Sequence, residues 1–77
     1  MVGQALISLE GSLAQFIKTE QPVRVAAGQS IYQTAVSLGV PATRSFSALV
    51  NGQVADLTYQ LQDGDYIRLI PQISGGI

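Results

Sequence analysis

The residues that could take part in chemistry lie near the end of the chain, where Ser74, Gly75 and Gly76 precede Ile77. Two adjacent glycines here cannot help to build a core, but they can lie extended in a channel that is too narrow for any other residue. Ser74 has no neighbouring His or Lys that would activate its hydroxyl. The pattern indicates a tail that can lie extended in a narrow channel, and the simpler alternative is a Gly-rich terminus without a role.

Two further groups of side chains give weaker signals. Asp63 and Asp65 are closely spaced carboxylates, but a pair without a third ligand does not make a Ca²⁺ or Mg²⁺ cage, so the sequence favours a turn. Tyr32, Tyr59 and Tyr66 have no nucleophile or base near them in the sequence and are predicted to be packing residues. We therefore expect no catalytic constellation and no metal site.

The composition predicts one compact domain. The chain has 77 residues, of which 47% are hydrophobic and 12% are charged, and this balance is typical of a folded protein with a core. It contains neither Cys nor His, which removes thiol nucleophiles, imidazole bases and the usual zinc sites. An enzyme in its own right is accordingly the least favoured class.

The charge pattern argues against nucleic acid as a partner. The formal net charge is −1, and the four basic residues, Lys18, Arg24, Arg44 and Arg68, are scattered along the chain. Phosphate binding requires a clustered basic face. The sequence begins with no basic segment and has no long apolar run, so we expect neither a signal peptide nor a membrane segment, and a cytoplasmic location.

The first half of the chain predicts two strands joined by a short helical element. Residues 4–10 alternate between apolar and polar positions, which is the period of a half-buried strand. Residues 13–17 place apolar side chains at helical spacing, with Ser12 as a candidate cap. Residues 23–26 then predict a second strand that pairs with the first in a hairpin with a long connection.

Residues 30–39 give the clearest helix signal. Ser30 and Gln33 have the spacing of a capping box, and Gly39 stands where a left-handed residue ends a helix. A broad apolar stripe is predicted to cover a sheet, with Ile31, Ala35 and Leu38 on one face and Tyr32 and Val36 beside them.

The second half predicts the remaining strands. Residues 46–50 form a strand, Val54 lies in a short return strand, and residues 66–70 form a last strand that Pro71 stops by removing a ladder donor. Leu57 and Leu61 are predicted to contact the core. Turns are predicted at Asn51-Gly52 and Asp63-Gly64. The order of these elements suits an α+β domain with one main helix packed across a mixed sheet.

The run "LVNGQVADLTYQ" followed by "LQDGDYIRLIPQISGG" resembles the C-terminal half of the small sulfur-carrier proteins of the ThiS/MoaD superfamily, and the similarity extends back to the helix at residues 30–39. The resemblance implies a ubiquitin-like β-grasp fold, with a sheet of four to five strands whose first and last strands pair in parallel at the centre. It divides the chain into a domain at residues 1–71 and a flexible tail at residues 72–77.

The resemblance also implies a function. In such carriers an E1-like enzyme uses ATP to adenylate the terminal glycine carboxylate, a sulfur donor converts the adenylate to a thiocarboxylate, and a biosynthetic enzyme accepts the sulfur. Gly76 would then bear the thiocarboxylate, Ser74 and Gly75 would thread the channel, and Pro71 would set where the tail leaves the sheet. ATP belongs to the activating enzyme, and we expect no tightly bound cofactor in this chain.

Ile77 departs from the pattern, because the second glycine is the last residue of a working carrier. A processing peptidase that removes Ile77 is the simplest explanation. The pathway stays open among molybdopterin synthesis, thiamin thiazole synthesis and other thiolation reactions. The alternative function is a ubiquitin-like modifier or protein-interaction module without sulfur chemistry.

A partner surface is predicted on the last strand. If Ile67 and Leu69 face the core, then Tyr66, Arg68 and Ile70 point outward and offer two apolar side chains to a partner. The opposite assignment is also open, because a central strand can be apolar on both faces.

Overall fold

The structure is a computed structural model that describes residues 3–18, 20–41 and 43–72. Within these residues five strands form one mixed sheet in the order β2-β1-β5-β3-β4. The strands are β1 (Gln4–Leu9), β2 (Val23–Ala26), β3 (Phe46–Val50), β4 (Gln53–Ala55) and β5 (Tyr66–Pro71), with a 3₁₀ helix at Gly11–Phe16 and one α-helix, α1 (Ile31–Ser37).

The two central strands confirm the expected β-grasp arrangement. β1 and β5 run parallel, with Leu6 opposite Tyr66 and Leu9 opposite Leu69. The other three strand pairs are antiparallel. Parallel pairing of the first and last strands joins the two halves of the chain, so the sheet cannot form before the chain has folded back on itself.

One face of the sheet carries the core. Ala5, Ile7 and Leu9 of β1 are buried as the alternation predicts, and Ile67 and Leu69 of β5 are fully buried beside them. The helices and loops cover this face with Leu13, Ile31, Ala35, Val40 and Leu61. Leu61 is therefore in the core as predicted, and Leu57 packs against its margin.

The ends of α1 match the sequence signals. Ser30 and Gln33 form the predicted capping box, with the Gln33 amide donating to Ser30 Oγ at 3.1 Å and the Ser30 amide donating to Gln33 Oε1 at 3.1 Å. Gly39 has a φ of +107°, and its amide donates to Val36 while the Val40 amide donates to Ala35, which is a Schellman ending.

The predicted apolar stripe of α1 is partly wrong. Tyr32 and Val36 are 42% and 43% exposed, and the third buried position of the helix belongs to Thr34 instead. Thr34 can be buried because its hydroxyl donates to the Ser30 carbonyl oxygen at 2.9 Å, which satisfies the polar group. The core face of the helix is thus narrower than the sequence pattern indicated.

The predicted helical element after β1 is a 3₁₀ helix, and the prediction of Ser12 as its cap is wrong. The capping position is Glu10, which makes no side-chain cap bond. The Ser12 hydroxyl instead accepts a hydrogen bond from Arg44 Nη2 at 3.1 Å, and the Arg44 guanidinium lies 5.5 Å from the centre of the Phe16 ring. No helix in the described part of the chain is long and apolar enough to cross a bilayer.

Candidate functional site

Three of the predicted site residues, Ser74, Gly75 and Gly76, lie outside the described residues, as does Ile77. Pro71 is described and is the last residue of β5. The structure therefore informs the point at which the tail leaves the sheet. We refer to Pro71 and Gln72 as the tail root.

Pro71 does not stop β5 in the way that we predicted, because it is part of the strand and pairs with Phe46 of β3. Antiparallel pairs alternate in whether their backbone groups bond each other. The Gln72 amide donates to the Ser45 carbonyl oxygen, so the nitrogen of the preceding Pro71 faces away from β3. It faces the side on which β1 has already ended at Leu9. No ladder donor is required there, and proline is tolerated.

Two hydrogen bonds hold the tail root to β3. The Gln72 amide donates to the Ser45 carbonyl oxygen at 3.3 Å and extends the ladder by one residue pair beyond the strand. The Gln72 side chain donates from Nε2 to Ser47 Oγ at 3.1 Å. The chain direction at Gln72 is therefore fixed through both its backbone and its side chain.

Gly11 supports the tail root from the other side. A Cβ atom at Gly11 would lie 3.0 Å from Cγ of Pro71, which is closer than such contacts normally are. Gly11 also has a φ of +53°, a left-handed conformation that costs other residues about 1–2 kcal/mol. A glycine at this position lets the proline ring lie directly against the backbone.

The side of β5 that faces away from the core is the side that we predicted for a partner. Ile67 and Leu69 have no exposed surface, whereas Tyr66 and Arg68 are exposed and Ile70 is half-buried. The alternative assignment, with these three side chains in the core, is therefore wrong. Their role in binding a partner remains a prediction.

Neighbouring strands widen this surface, which we call the open face. The strand register places Leu6 beside Tyr66, Ser47 beside Ile70, and both Ser8 and Leu49 beside Arg68. All four neighbours are half-buried. The open face is thus a band of apolar side chains around one arginine, and Ser47 connects it to the tail root.

Arg68 is paired with Glu10 on the open face. Arg68 Nε lies 3.4 Å from Glu10 Oε2, and both side chains are more than a third exposed. Ser8 Oγ donates to the same carboxylate oxygen at 3.2 Å. An exposed pair of this kind adds little to stability. Its effect is to orient the guanidinium, which a docking partner would meet in the middle of the apolar band.

A buried carboxylate organises the turns at the other end of β5. Asp65 is 8% exposed, and its oxygens accept hydrogen bonds from the Tyr59 hydroxyl at 2.7 Å, the Gln62 amide at 2.9 Å and Asn51 Nδ2 at 3.0 Å. Asp63 is exposed and accepts one bond, from the Gln4 amide at 2.9 Å. The prediction of a turn at this pair is confirmed, whereas Tyr59 does more than pack.

The hydrogen bonds around Asp65 shift two pKa values in opposite directions. Burial raises the pKa of the Asp65 carboxyl, but the bonds from Tyr59, Gln62 and Asn51 outweigh burial and hold that pKa below its usual value. The hydrogen bond to the carboxylate, together with burial and the negative charge, raises the pKa of the Tyr59 hydroxyl. The carboxylate therefore stays ionised, and the phenol stays neutral, across the physiological range.

These shifts predict that the protein loses stability in acid. A folded-state pKa below the unfolded value means that Asp65 stabilises the fold above the unfolded pKa of about 4, and that this contribution is lost as the pH falls through the lower folded value. Urea unfolding between pH 7 and pH 2 should show the decline. Asp56 adds to this loss of stability in acid, because hydrogen bonds from the backbone and the side chain of Thr58 lower its pKa. If the free energy of unfolding declines less with acid in Asp65→Ala than in the wild type, the effect is assigned to Asp65. An equal decline in both would contradict this assignment.

Neither a group of metal-ligating side chains nor an unpaired buried polar side chain is found among the described residues. Among residues 3–18, 20–41 and 43–72, no three Asp or Glu side chains lie close enough together to hold a metal ion. Every buried side-chain nitrogen or oxygen in this part of the chain has a hydrogen-bond partner. The features that point to function are the open face and the anchored tail root.

Comparison with known proteins identifies a similar structure and a family. The crystal structure of SAMP1 from Haloferax volcanii matches with a TM-score of 0.66 at 26% sequence identity, over 96% of this chain and 100% of that one. No curated protein matches the chain. The model of the ThiS family matches residues 7–76, which include every strand from β2 to β5, the tail root and both glycines. The chain therefore belongs to the ThiS family.

Proposed function

We propose that this chain is a sulfur carrier whose Gly76 carboxylate is adenylated and then converted to a thiocarboxylate. Small proteins of the ThiS kind are generally carriers rather than enzymes. The observation that supports the proposal most directly is the continuation of the family match beyond the folded strands to Gly76. The anchored tail root adds physical support, because it directs the tail from a fixed place on the sheet.

The chemistry requires only an accessible carboxylate on this chain. An oxygen of the Gly76 carboxylate attacks the α-phosphorus of ATP, pyrophosphate leaves, and an acyl-adenylate forms. A sulfur nucleophile at the oxidation level of hydrosulfide then attacks the carbonyl carbon, AMP leaves, and the thiocarboxylate remains. Gly76 and Gly75 carry no side chains that would hinder either attack. Ser74 and Gly75 thread the channel of the partner, and Pro71 sets the exit from the sheet.

The partner proteins follow from this sequence of steps. Proteins of this kind typically interact with E1-like activating enzymes. Such an enzyme would hold the ATP, and the surface formed by Tyr66, Arg68 and Ile70 would dock against it. A biosynthetic enzyme would accept the sulfur, for molybdopterin, for thiamin thiazole or in another thiolation reaction.

Ile77 must be removed before the first step. In the sequence the carbonyl carbon of Gly76 is part of a peptide bond to Ile77, so it offers no carboxylate to ATP. The side chain of Ile77 would also occupy the place that ATP must approach. We therefore propose that a processing peptidase cleaves after Gly76.

The test is the intact mass of the protein isolated from its own cells. We expect a chain that ends at Gly76, part of which has gained the mass of one sulfur-for-oxygen exchange. As a control, alkylation of the sample should shift only the sulfur-containing species. A chain that still carries Ile77 and has no added sulfur would contradict the proposal and would favour an interaction module.

A modifier function uses the same first step, because the amine of a lysine can also attack an acyl-adenylate. The outcome would then be an amide bond between Gly76 and another protein. Incubation of the processed chain with ATP and a lysate of its own cells distinguishes the two functions. Adducts of higher mass that contain this chain indicate a modifier, and sulfur exchange alone indicates a carrier.

A further inference from the structure

We propose that Ser47 is a positioning residue for the adenylation of the tail, acting through its hydrogen bond to Gln72. The inference extends the proposed function and rests on it. Ser47 does not approach the reacting carboxylate and is therefore not a catalytic residue. Its role is to hold the direction in which the chain leaves the sheet.

The geometry of the tail root carries the proposal. The ring of Pro71 fixes its own φ and lies against Gly11, which has no side chain to displace it. The Gln72 amide donates a hydrogen bond to the Ser45 carbonyl oxygen at 3.3 Å. This is the longest backbone–backbone hydrogen bond that the structure shows in its turns, loops and helix caps. The bond from Gln72 Nε2 to Ser47 Oγ, at 3.1 Å, is the only hydrogen bond from the Gln72 side chain to the sheet among the described residues. Without it, a single long backbone bond would orient Gln72.

The length of the tail makes this orientation important. Gly76 is the fourth residue after Gln72, and a fully extended chain of four residues spans at most about 14 Å. The direction of the chain at Gln72 therefore limits the region that the carboxylate can reach. A misplacement of about 1 Å can reduce catalysis strongly when a reacting group must meet its partner in line.

The expected result is a lower turnover without weaker docking. The processed chain ending at Gly76 is incubated with the E1-like enzyme of the same cells, and adenylation is followed as exchange of labelled pyrophosphate into ATP. Ser47→Ala should lower kcat about three- to tenfold, which corresponds to the loss of one ordinary hydrogen bond. The KM for the carrier should stay unchanged, because the apolar side chains of the open face are intact.

Three further variants separate positioning from other roles. Ser47→Thr keeps the hydroxyl and should restore kcat. Ser12→Ala removes a different serine hydroxyl, which accepts a bond of 3.1 Å from Arg44, and should leave kcat unchanged. The double variant Ser47→Ala/Gln72→Ala should be no slower than the slower single variant, because both changes break the same bond. Faster hydrogen exchange of the Gln72 amide in full-length Ser47→Ala would report the loosened root without any enzyme.

Each of the following results would overturn the positioning role of Ser47. Unchanged kcat in Ser47→Ala, with an active wild-type carrier, would overturn the positioning role and leave the proposed function intact. Additive losses in the double variant, or a rise in KM alone, would show that Ser47 touches the enzyme directly and would also overturn it. If the wild-type processed chain supports no exchange at all, the proposed function fails and the role of Ser47 fails with it.

Discussion

Replacing Asp65 by alanine should lower the free energy of unfolding by about 2–4 kcal/mol, because the change removes the shared acceptor of three part-buried hydrogen bonds. The Tyr59 hydroxyl, the Gln62 amide and Asn51 Nδ2 all donate to this one carboxylate. Asn51 also accepts the Tyr66 amide through its Oδ1, so its orientation affects the first residue of β5. Urea unfolding at pH 7 measures the loss.

Asp63→Ala is the matched control for this prediction. It removes the same type of side chain two residues away, but Asp63 is exposed and accepts only the Gln4 amide. Water can replace that acceptor, so the loss should stay below about 1 kcal/mol. Equal losses in the two variants would show that the buried network is no more important than an ordinary turn contact.

The strand pattern was predictable because its physical causes are local. Alternation placed Ala5, Ile7 and Leu9 on the core side of β1, whereas for β5 it left both assignments open, and the structure shows that Ile67 and Leu69 are the buried pair. Burial on one face fixes the register of a strand, since a shift by one residue would expose every apolar side chain. The helix ends were equally readable, because a capping box and a left-handed glycine act within a few residues.

The contacts that build the site could not be read in this way, because they join distant parts of the chain. Ser47 and Gln72 are 25 residues apart, and only the pairing of β3 with β5 brings them together. The partners of Asp65 come from the Asn51 turn and from the segment around Tyr59. No local propensity indicates such a meeting. The turn at Asp63-Gly64 was readable from the sequence, but the burial of Asp65 was not.

Pro71 shows why a local rule can fail in a sheet. The rule that proline ends a strand assumes that its missing N–H faces a neighbouring strand. Here the nitrogen faces the side on which β1 has ended, so the pairing with β3 continues through Phe46 and on to Gln72. The strand order, which sequence reasoning obtained only from a family resemblance, decides whether the rule applies.

The open face and the tail root meet at Ile70. This residue precedes Pro71 and lies beside Ser47 in the register of β3 and β5. A partner that covers Ile70 would therefore also cover the point where the tail begins. If the open face docks the activating enzyme as proposed, a charge placed here should weaken the complex more than a charge elsewhere on the surface.

Ile70→Glu should weaken binding to the E1-like activating enzyme by about thirtyfold or more, the effect expected of a central contact residue in an interface. The carboxylate would have to be desolvated among apolar side chains when the partner docks. Since Ile70 is only half-buried in the free protein, the thermal midpoint of unfolding should change little. Isothermal titration with the processed chain and the enzyme measures the affinity, and circular dichroism measures the midpoint.

Val36→Glu is the control that distinguishes an effect of the position of Ile70 from an effect of the added negative charge. Val36 is an apolar residue that is more exposed than Ile70, on the outer side of α1 rather than on the open face, and glutamate is a good helix former. The same change of charge should therefore leave the affinity for the enzyme within about a factor of two, since rim or remote charges act mainly through long-range steering. Equal weakening by both variants would show that net charge controls the encounter. Unfolding of Ile70→Glu alone would instead show that Ile70 belongs to the core, and the docking surface would then have to be sought around Tyr66 and Arg68.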